Sequence, residues 1–479
     1  MSLSALIIAA STVGFEPCRL RDPDNLVRVD AECGRLEVPV DHAVEEPEDE
    51  TLELRVARLP ATRGGSGRGE SEKPPMVLLA GGPGQAATEA FVAHARAFRP
   101  LRAGRELILV DQRGTGGSAA LECPEEMAGS GDDLEQALGW ARECAAHLEA
   151  QDIKAGHYLT RDAVADLEAV REALGHEEWV LYGVSYGTRV AQQYLRAHEV
   201  RVAAFVLDGV LPADEALGPM IGPFAQRALD LMFKRCREDE VCAEAFPELE
   251  ADFESVLEAL ETQEREVEIR HPRSNERTTV ELDRGAVAQH VRFSSYLPES
   301  LALIPLLIHR AAHDEDWGPL AAQVLLSEEG MEGVINYVLH FSVLCSEDAP
   351  FIGLEDGDPE HYLGEESSEM IAAMCELWPR GEIAEDFHEP VESDRPGLLL
   401  SGELDPVTPP QWGEQAAQGL TGARHLEVAG KGHGVGHLGC MPRILNDFLE
   451  ARDPEAPDIE CLERMRPTPF FLDFYGPAP

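Results

Sequence analysis

The chain has 479 residues, 44% of them hydrophobic, with 89 acidic against 40 basic side chains and a formal net charge of −49. That charge excludes nucleic acid and anionic membrane surfaces as partners, and no apolar run approaches the ~18 residues that a membrane-spanning helix needs. The length is enough for two or three lobes around a large core.

The opening residues hold a short apolar run, Leu3–Ala10, with no basic residue before it. It reads either as the remnant of an export signal or as a buried start. Ten cysteines fall in neighbouring pairs: Cys18 with Cys33, Cys123 with Cys144, Cys236 with Cys242, Cys345 with Cys375, and Cys440 with Cys461. Pairing neighbours closes short local loops, and a loop of about 15 residues is worth roughly 3 kcal/mol in the chain-entropy model. Disulfides imply an oxidising compartment, so export to a periplasmic or extracellular space is expected. The opposite reading is a set of buried thiols in a cytosolic enzyme. Neither Cys-x-x-Cys nor His-Glu-x-x-His occurs, and no metal or cofactor is expected. The acidic runs Glu45–Glu50, Asp132–Glu135 and Asp356–Asp358 read as solvated surface.

Gly34–Val40 and Thr51–Leu59 have strand patterning, with Leu52, Leu54 and Val56 alternating with Glu53 and Arg55. Residues 61–74 are a polar loop. Met76–Ala80 is a short buried strand running into Gly81-Gly82-Pro83-Gly84, and a helix-like segment follows to Phe98. Glu106–Val110 is a second buried strand, opening into Asp111-Gln-Arg-Gly-Thr-Gly-Gly-Ser118, where Arg113 reads as structural. After an acidic excursion over 119–158, Thr160 reads as the N-cap of a helix whose apolar face is Ala163, Val164, Leu167, Val170 and Leu174. Trp179–Tyr182 is strand-like, Val190–His198 is helical, and Val202–Leu207 is another strand. This alternation predicts an α/β fold, a mostly parallel sheet covered by helices on both faces.

The rhythm stops near Pro212. Up to Asp386 the chain reads as helical, with one polar hairpin around Ser274-Asn275, and is expected to be an inserted cap. Residues 1–211 then form the first part of the core and residues 387–479 the second. In the second part Gly397–Ser401 and Arg424–Val428 are strands, and Pro442–Ala451 is a helix.

Between the Trp179–Tyr182 strand and the helix after it lies Gly183-Val-Ser185-Tyr-Gly187. Strand, sharp turn and helix are what a nucleophile elbow requires, although a serine that merely caps the helix gives the same pattern. Asp405 follows one later strand and His433 another; Glu403, Asp394 and His437 are the rivals. The order Ser…Asp…His is that of α/β-hydrolases. A serine hydroxyl needs a base to take its proton, and the base needs a buried carboxylate to fix its tautomer. The oxyanion needs two N–H donors, for which Tyr186 and Gly82 are the candidates.

Gly81-Gly-Pro-Gly84, Asp111-Gln-Arg-Gly-x-Gly-x-Ser118, Gly183-x-Ser-Tyr-Gly187 and Gly432-His-Gly434 together resemble the proline iminopeptidase group of α/β-hydrolases. The cysteine layout and the Asp405–Cys440 segment resemble its secreted tripeptidyl aminopeptidase branch. The resemblance implies a serine exopeptidase acting on peptides with free N-termini. One departure, Ala80 where proline iminopeptidases carry His, points away from strict prolyl specificity. The resemblance also implies a cap carboxylate that grips the substrate amine, and Glu347 is the candidate, with Asp348 as alternate, in Cys345-Ser-Glu-Asp348. A carboxylester or small-amide hydrolase with the same triad is the second reading. The third, a non-catalytic binding relative, is disfavoured because all three parts are present.

Overall fold

The computed structural model describes residues 13–23, 25–44, 50–62, 73–124, 134–218, 220–331, 333–351, 361–364 and 366–477. The Leu3–Ala10 run, most of the 61–74 loop, most of the Glu45–Glu50 run, Asp132 and Asp133, and the Asp356–Asp358 run lie outside these residues.

Nine strands form one sheet. They are β1 (Glu16–Arg21), β2 (Arg28–Pro39), β3 (Thr51–Leu59), β4 (Met76–Leu79), β5 (Leu107–Val110), β6 (Trp179–Val184), β7 (Val202–Asp208) and, after a separate hairpin of β8 (Arg265–Arg270) and β9 (Arg277–Leu282), β10 (Gly397–Gly402) and β11 (Ala423–Val428). The spatial order is β1-β2-β3-β5-β4-β6-β7-β10-β11. The first three strands and the β3–β5 pair are antiparallel; from β5 to β11 every pair is parallel. The short Val/Leu-rich runs read as buried strands for a physical reason visible here. Met76, Leu78, Leu107, Leu109, Val180, Tyr182, Leu398 and Leu400 feed one core, and Val77, Leu79, Ile108, Val110, Leu181, Phe205 and Leu399 feed the other. A strand buried on both faces has no polar alternate position. Helices Thr160–Ala173 and Tyr186–His198 cover one face, and Met441–Ala451 covers the other.

Three local expectations need correction. The segment expected to be helical up to Phe98 is helical only over Ala87–Ala90 and continues as turns. Leu159, not Thr160, is the N-cap of the next helix; the Thr160 hydroxyl is drawn off by a distant carboxylate described below. Part of the 119–158 excursion is a regular helix, Leu134–Ala150, which buries Ala141, Cys144 and Leu148.

Residues 221–331 build their own apolar cluster from helices such as Ile221–Glu238, Leu249–Thr262, Arg284–Ser294 and Ile304–His313. The later helices, Tyr337–Val343 and Glu366–Leu377, instead join the cluster on the sheet, where Trp140 stacks on Trp378 at 5.5 Å between ring centres.

The cysteines pair with their neighbours, as the spacing predicts, and not as buried free thiols. Cys18 is bonded to Cys33, which ties β1 to β2, and Cys123 is bonded to Cys144 of helix Leu134–Ala150. Cys236 is bonded to Cys242 across the junction of two consecutive helices, Ile221–Glu238 and Glu240–Ala245. Cys345 is bonded to Cys375 of helix Glu366–Leu377, and Cys440 is bonded to Cys461 on either side of helix Met441–Ala451. The Cα–Cα separations of the five pairs are 4.9–6.5 Å, within the range a disulfide spans. No helix among the described residues is long and apolar enough to cross a membrane.

Candidate active site

Four neighbouring strands end side by side at the carboxyl edge of the sheet, where ligands bind in open α/β folds. Ser185 follows β6, Asp208 ends β7, Asp405 follows β10 and His433 follows β11.

Ser185 stands between strand and helix at φ 56° and ψ −125°, a conformation costing an L-residue on the order of 1–3 kcal/mol. The turn is as tight as the Gly-x-Ser-x-Gly spacing predicted. A Cβ on Gly183 would fall on the Gly187 carbonyl, and a Cβ on Gly187 would fall on the Leu79 carbonyl. The Ser185 N–H is held by the Asp208 carbonyl at 3.0 Å. The Gly81–Gly84 turn abuts the serine: a Cβ on Gly81 would lie 2.9 Å from that of Ser185. Gly82 has φ 105° in this turn. Tyr186 is the first helical residue, so its N–H has no acceptor within the helix.

Asp405 is fully buried and satisfied on both oxygens. Oδ1 accepts from the N–H groups of Val407 and Thr408 at 3.0 and 2.9 Å. Oδ2 accepts from the Thr408 hydroxyl and from His433 Nδ1, each at 2.8 Å. A proton on Nδ1 leaves Nε2 as the basic nitrogen. Burial raises the Asp405 carboxyl, but the charge and hydrogen bond of His433 outweigh it and hold it below the usual range. Burial pulls His433 down, yet the charge and hydrogen bond of Asp405, with Asp208 adding, move it above the usual imidazole value. The pair is thus built to hold an imidazolium. A second buried carboxylate supports the loop: Asp208 accepts from the N–H groups of Val435 and Gly436 at 2.8 and 2.7 Å and from the Tyr182 hydroxyl at 2.7 Å. Among the described contacts of the rivals, Glu403 accepts from the Gly430 N–H, and the His437 ring lies tilted against that of His94 at 3.9 Å between centres. Arg113 is buried in a two-pronged pair with Asp166 at 2.6 and 2.7 Å, a structural position as expected.

Thr408, Asp208 and Tyr296 were not singled out from sequence. Thr408 had a usable signal, since a hydroxyl three residues after an aspartate is a common local turn partner. Tyr296 had none: its carbonyl accepts the His433 N–H at 3.2 Å and its ring lies 5.0 Å from the imidazole, 137 residues away in sequence (433 − 296).

The expected position of the amine-binding carboxylates is corrected. Glu347 and Asp348 do not face Ser185 across a cleft; both are 0% exposed. After helix Tyr337–Val343 the chain makes a π-helical turn, Leu344–Asp348, that aims both side chains inward. Glu347 accepts from the N–H and hydroxyl of Thr160, and that hydroxyl in turn lies 2.7 Å from the Tyr186 hydroxyl. Asp348 accepts from Arg189 Nη1 at 2.8 and 3.0 Å and from the Leu217 N–H at 3.1 Å. Both acids thus brace the helix behind the serine. Burial, the chief cause, pushes the Glu347 carboxyl up to about 7, with Arg189 and the Thr160 bonds opposing and Asp348 adding.

A cavity of about 790 Å³ has Gly84, Glu89, Glu122, Trp140, Arg292, Phe293, Asn336 and Tyr337 on its walls. Two residues of the 212–386 segment touch both sides of the proposed machinery. The Asn336 N–H bonds the Gly84 carbonyl at 2.9 Å, and Tyr296 covers the His433 loop.

The sequence model of the alpha/beta hydrolase fold matches residues 74–439, well over half of the chain. The chain belongs to the α/β-hydrolase family. This α/β hydrolase is 30% identical over 215 residues to serine protease Hip1 of Mycobacterium tuberculosis, covering 42% of this chain and 39% of that protein. It is 29% identical over 221 residues to a probable proline iminopeptidase of Streptomyces coelicolor, covering 45% and 57%. The matches therefore span 39% to 57% of these relatives' lengths. A proline iminopeptidase structure from Mycobacterium smegmatis superposes with a TM-score of 0.44 at 15% identity, over 88% of this chain and 98% of that one.

Proposed function

We propose that this α/β hydrolase is an exported serine exopeptidase that releases residues or short peptides from free peptide N-termini through an acyl-enzyme. Ser185 attacks the carbonyl, His433 takes and returns the proton, and Asp405 stabilises the imidazolium. The N–H groups of Tyr186 and Gly82 receive the oxyanion. The observation that carries the exopeptidase reading is the cap, which reaches the Gly81–Gly84 turn through Asn336 and the His433 loop through Tyr296. Such a cover favours a thin, extended chain end over a loop of a folded protein. The names of the relatives, serine protease and proline iminopeptidase, favour a peptide over a simple ester. Five disulfides favour export.

With Glu347 and Asp348 turned inward, Glu89 and Glu122 on the cavity wall take over the proposed role of receiving the amine. Burial, then the charge of Asp111, holds the Glu89 carboxyl above its usual range, and an arriving ammonium would reverse that.

The test is a panel of chromogenic aminoacyl and tripeptidyl amides, their N-acetylated counterparts and a simple acyl ester. A charge-assisted bond to the amine predicts a preference of roughly 10- to 150-fold for the free-amine amides. Equal rates on blocked and free amides, with faster ester cleavage, would establish the carboxylester or small-amide hydrolase instead.

A further inference from the structure

Helix Ile304–His313 carries His309 and His313 one turn apart, so both imidazoles project from the same face. That face lies against helix Leu249–Thr262, which presents Asp252 to the pair. Asp252 Oδ1 is 2.8 Å from His313 Nε2, and Oδ2 is 3.4 Å from His309 Nδ1. One ligand atom from each residue lies within 4.8 Å of the other two. The carboxylate is 7% exposed, and among the described residues its ion-pair partners are these two histidines, with no lysine or arginine.

We propose that Asp252, His309 and His313 form a zinc-class divalent metal site that pins two helices of the cap together. Two imidazoles and one carboxylate are a donor set for zinc, which holds nitrogen and carboxylate oxygen at about 2.0–2.2 Å. In tetrahedral geometry at that radius the ligand atoms stand about 3.3–3.6 Å apart, so closure from the present separations, 2.8 Å at the shortest and all within 4.8 Å, takes side-chain adjustments of up to about 1 Å. The His309 ring is held from one side by the edge of Phe246, at 5.3 Å between centres. The two histidine side chains are 30% and 45% exposed, which leaves the outer positions of the ion to water. Below the site, Phe253, Val256 and Leu260 pack in one apolar cluster with Ile304, Leu307 and Ile308, so the two helices are already positioned by their cores. The metal replaces the two Asp252–histidine hydrogen bonds with coordinate bonds across the same junction, above the apolar contact. The site falls outside the sequence expectation of no metal because its ligands are 57 and 61 residues apart and match no contiguous motif.

None of the described contacts of Asp252, His309 and His313 involves Ser185, Asp405 or His433, so the site can be tested apart from activity. Chelator-treated full-length protein would be titrated with Zn²⁺ by calorimetry, with thermal unfolding followed in parallel, and with Co²⁺ followed by visible absorption. One ion per chain, a melting temperature that rises and saturates, and cobalt bands of nitrogen and oxygen ligation are expected. His309→Ala and His313→Ala should each lower affinity by more than the roughly 10- to 100-fold cost of losing an outer-shell partner, and Asp252→Asn should do the same. Ester hydrolysis should be unchanged by chelator or by either histidine variant. Wild-type affinity retained in the double histidine variant, or no saturable uptake by wild type, would overturn the site and leave a hydrogen-bonded triad.

Discussion

Thr160 donates its backbone N–H and its hydroxyl to the two carboxylate oxygens of Glu347, at 2.6 and 2.7 Å, across 187 residues of sequence. Its hydroxyl proton is committed to Glu347, so the Tyr186 hydroxyl donates to Thr160 Oγ1, and Gln112 donates to Tyr186 at 3.3 Å. The carboxylate therefore reaches the residue after Ser185 through one intermediate. Glu347→Gln keeps the shape but puts an amide NH₂ against one donor, at a cost of about 1–3 kcal/mol. The melting temperature should fall, and kcat/KM on free-amine amides and on an acyl ester should drop by similar factors. A loss confined to the amides would return Glu347 to amine binding.

The same group gives a signed pH effect. Its folded value of about 7 stands above the ordinary 4.5, so the folded protein binds this proton more tightly than the unfolded chain. The stability it contributes is complete below about 4.5 and is lost as pH rises through about 7. The melting-temperature advantage of wild type over Glu347→Gln should be largest in acid and shrink across that window in a pH series of thermal scans.

Ser185→Ala should lower kcat by on the order of 10⁴- to 10⁶-fold, as members of such triads act as a unit. A serine-directed phosphonate should label wild type at Ser185 and leave the variant unlabelled, as read by peptide mass mapping.

In the proposed mechanism His433 acts as the neutral base, and its raised value should put the acid limb of kcat/KM above the ordinary imidazole value of 6.5. Asp405→Asn should move that limb down and lower kcat by about 10⁴-fold. A limb that stays in place would remove Asp405 from its proposed role.

Gly183→Ala should be among the most damaging single-methyl changes in the chain, because its Cβ would fall on the Gly187 carbonyl of a turn fixed from both ends. Overpacking of this kind costs typically about 1–3 kcal/mol. Denaturant unfolding would measure the loss, and the phosphonate reaction would show whether Ser185 is still presented.

The elements that carry Ser185, Asp405 and His433 were legible because each is announced locally: a Val/Leu run buried on both faces, then a polar residue beside glycine. The disulfides were legible for a similar reason, since each cysteine, from Cys18 with Cys33 to Cys440 with Cys461, closes a nearby loop. Helix Leu134–Ala150 was not, because glutamates and alanines dilute its apolar face and only three residues are buried. Glu347 shows the deeper limit. The stretch Cys345-Ser-Glu-Asp348 announces a carboxylate at the end of a helix, but its direction is set by the π-helical turn and by Thr160, Arg189 and Leu217, all far away in sequence. Sequence patterning shows which residues can do chemistry more readily than which way they point.

The cover formed by Asn336 over the Gly81–Gly84 turn and by Tyr296 over the His433 loop has a consequence for life among other proteins. On the proposed reading it works as a size filter ahead of any chemistry, admitting frayed ends and peptide debris and turning away intact folds. A hydrolase so screened can accumulate fully active beside folded neighbours, its own copies included, with restraint supplied by shape and no inhibitor required.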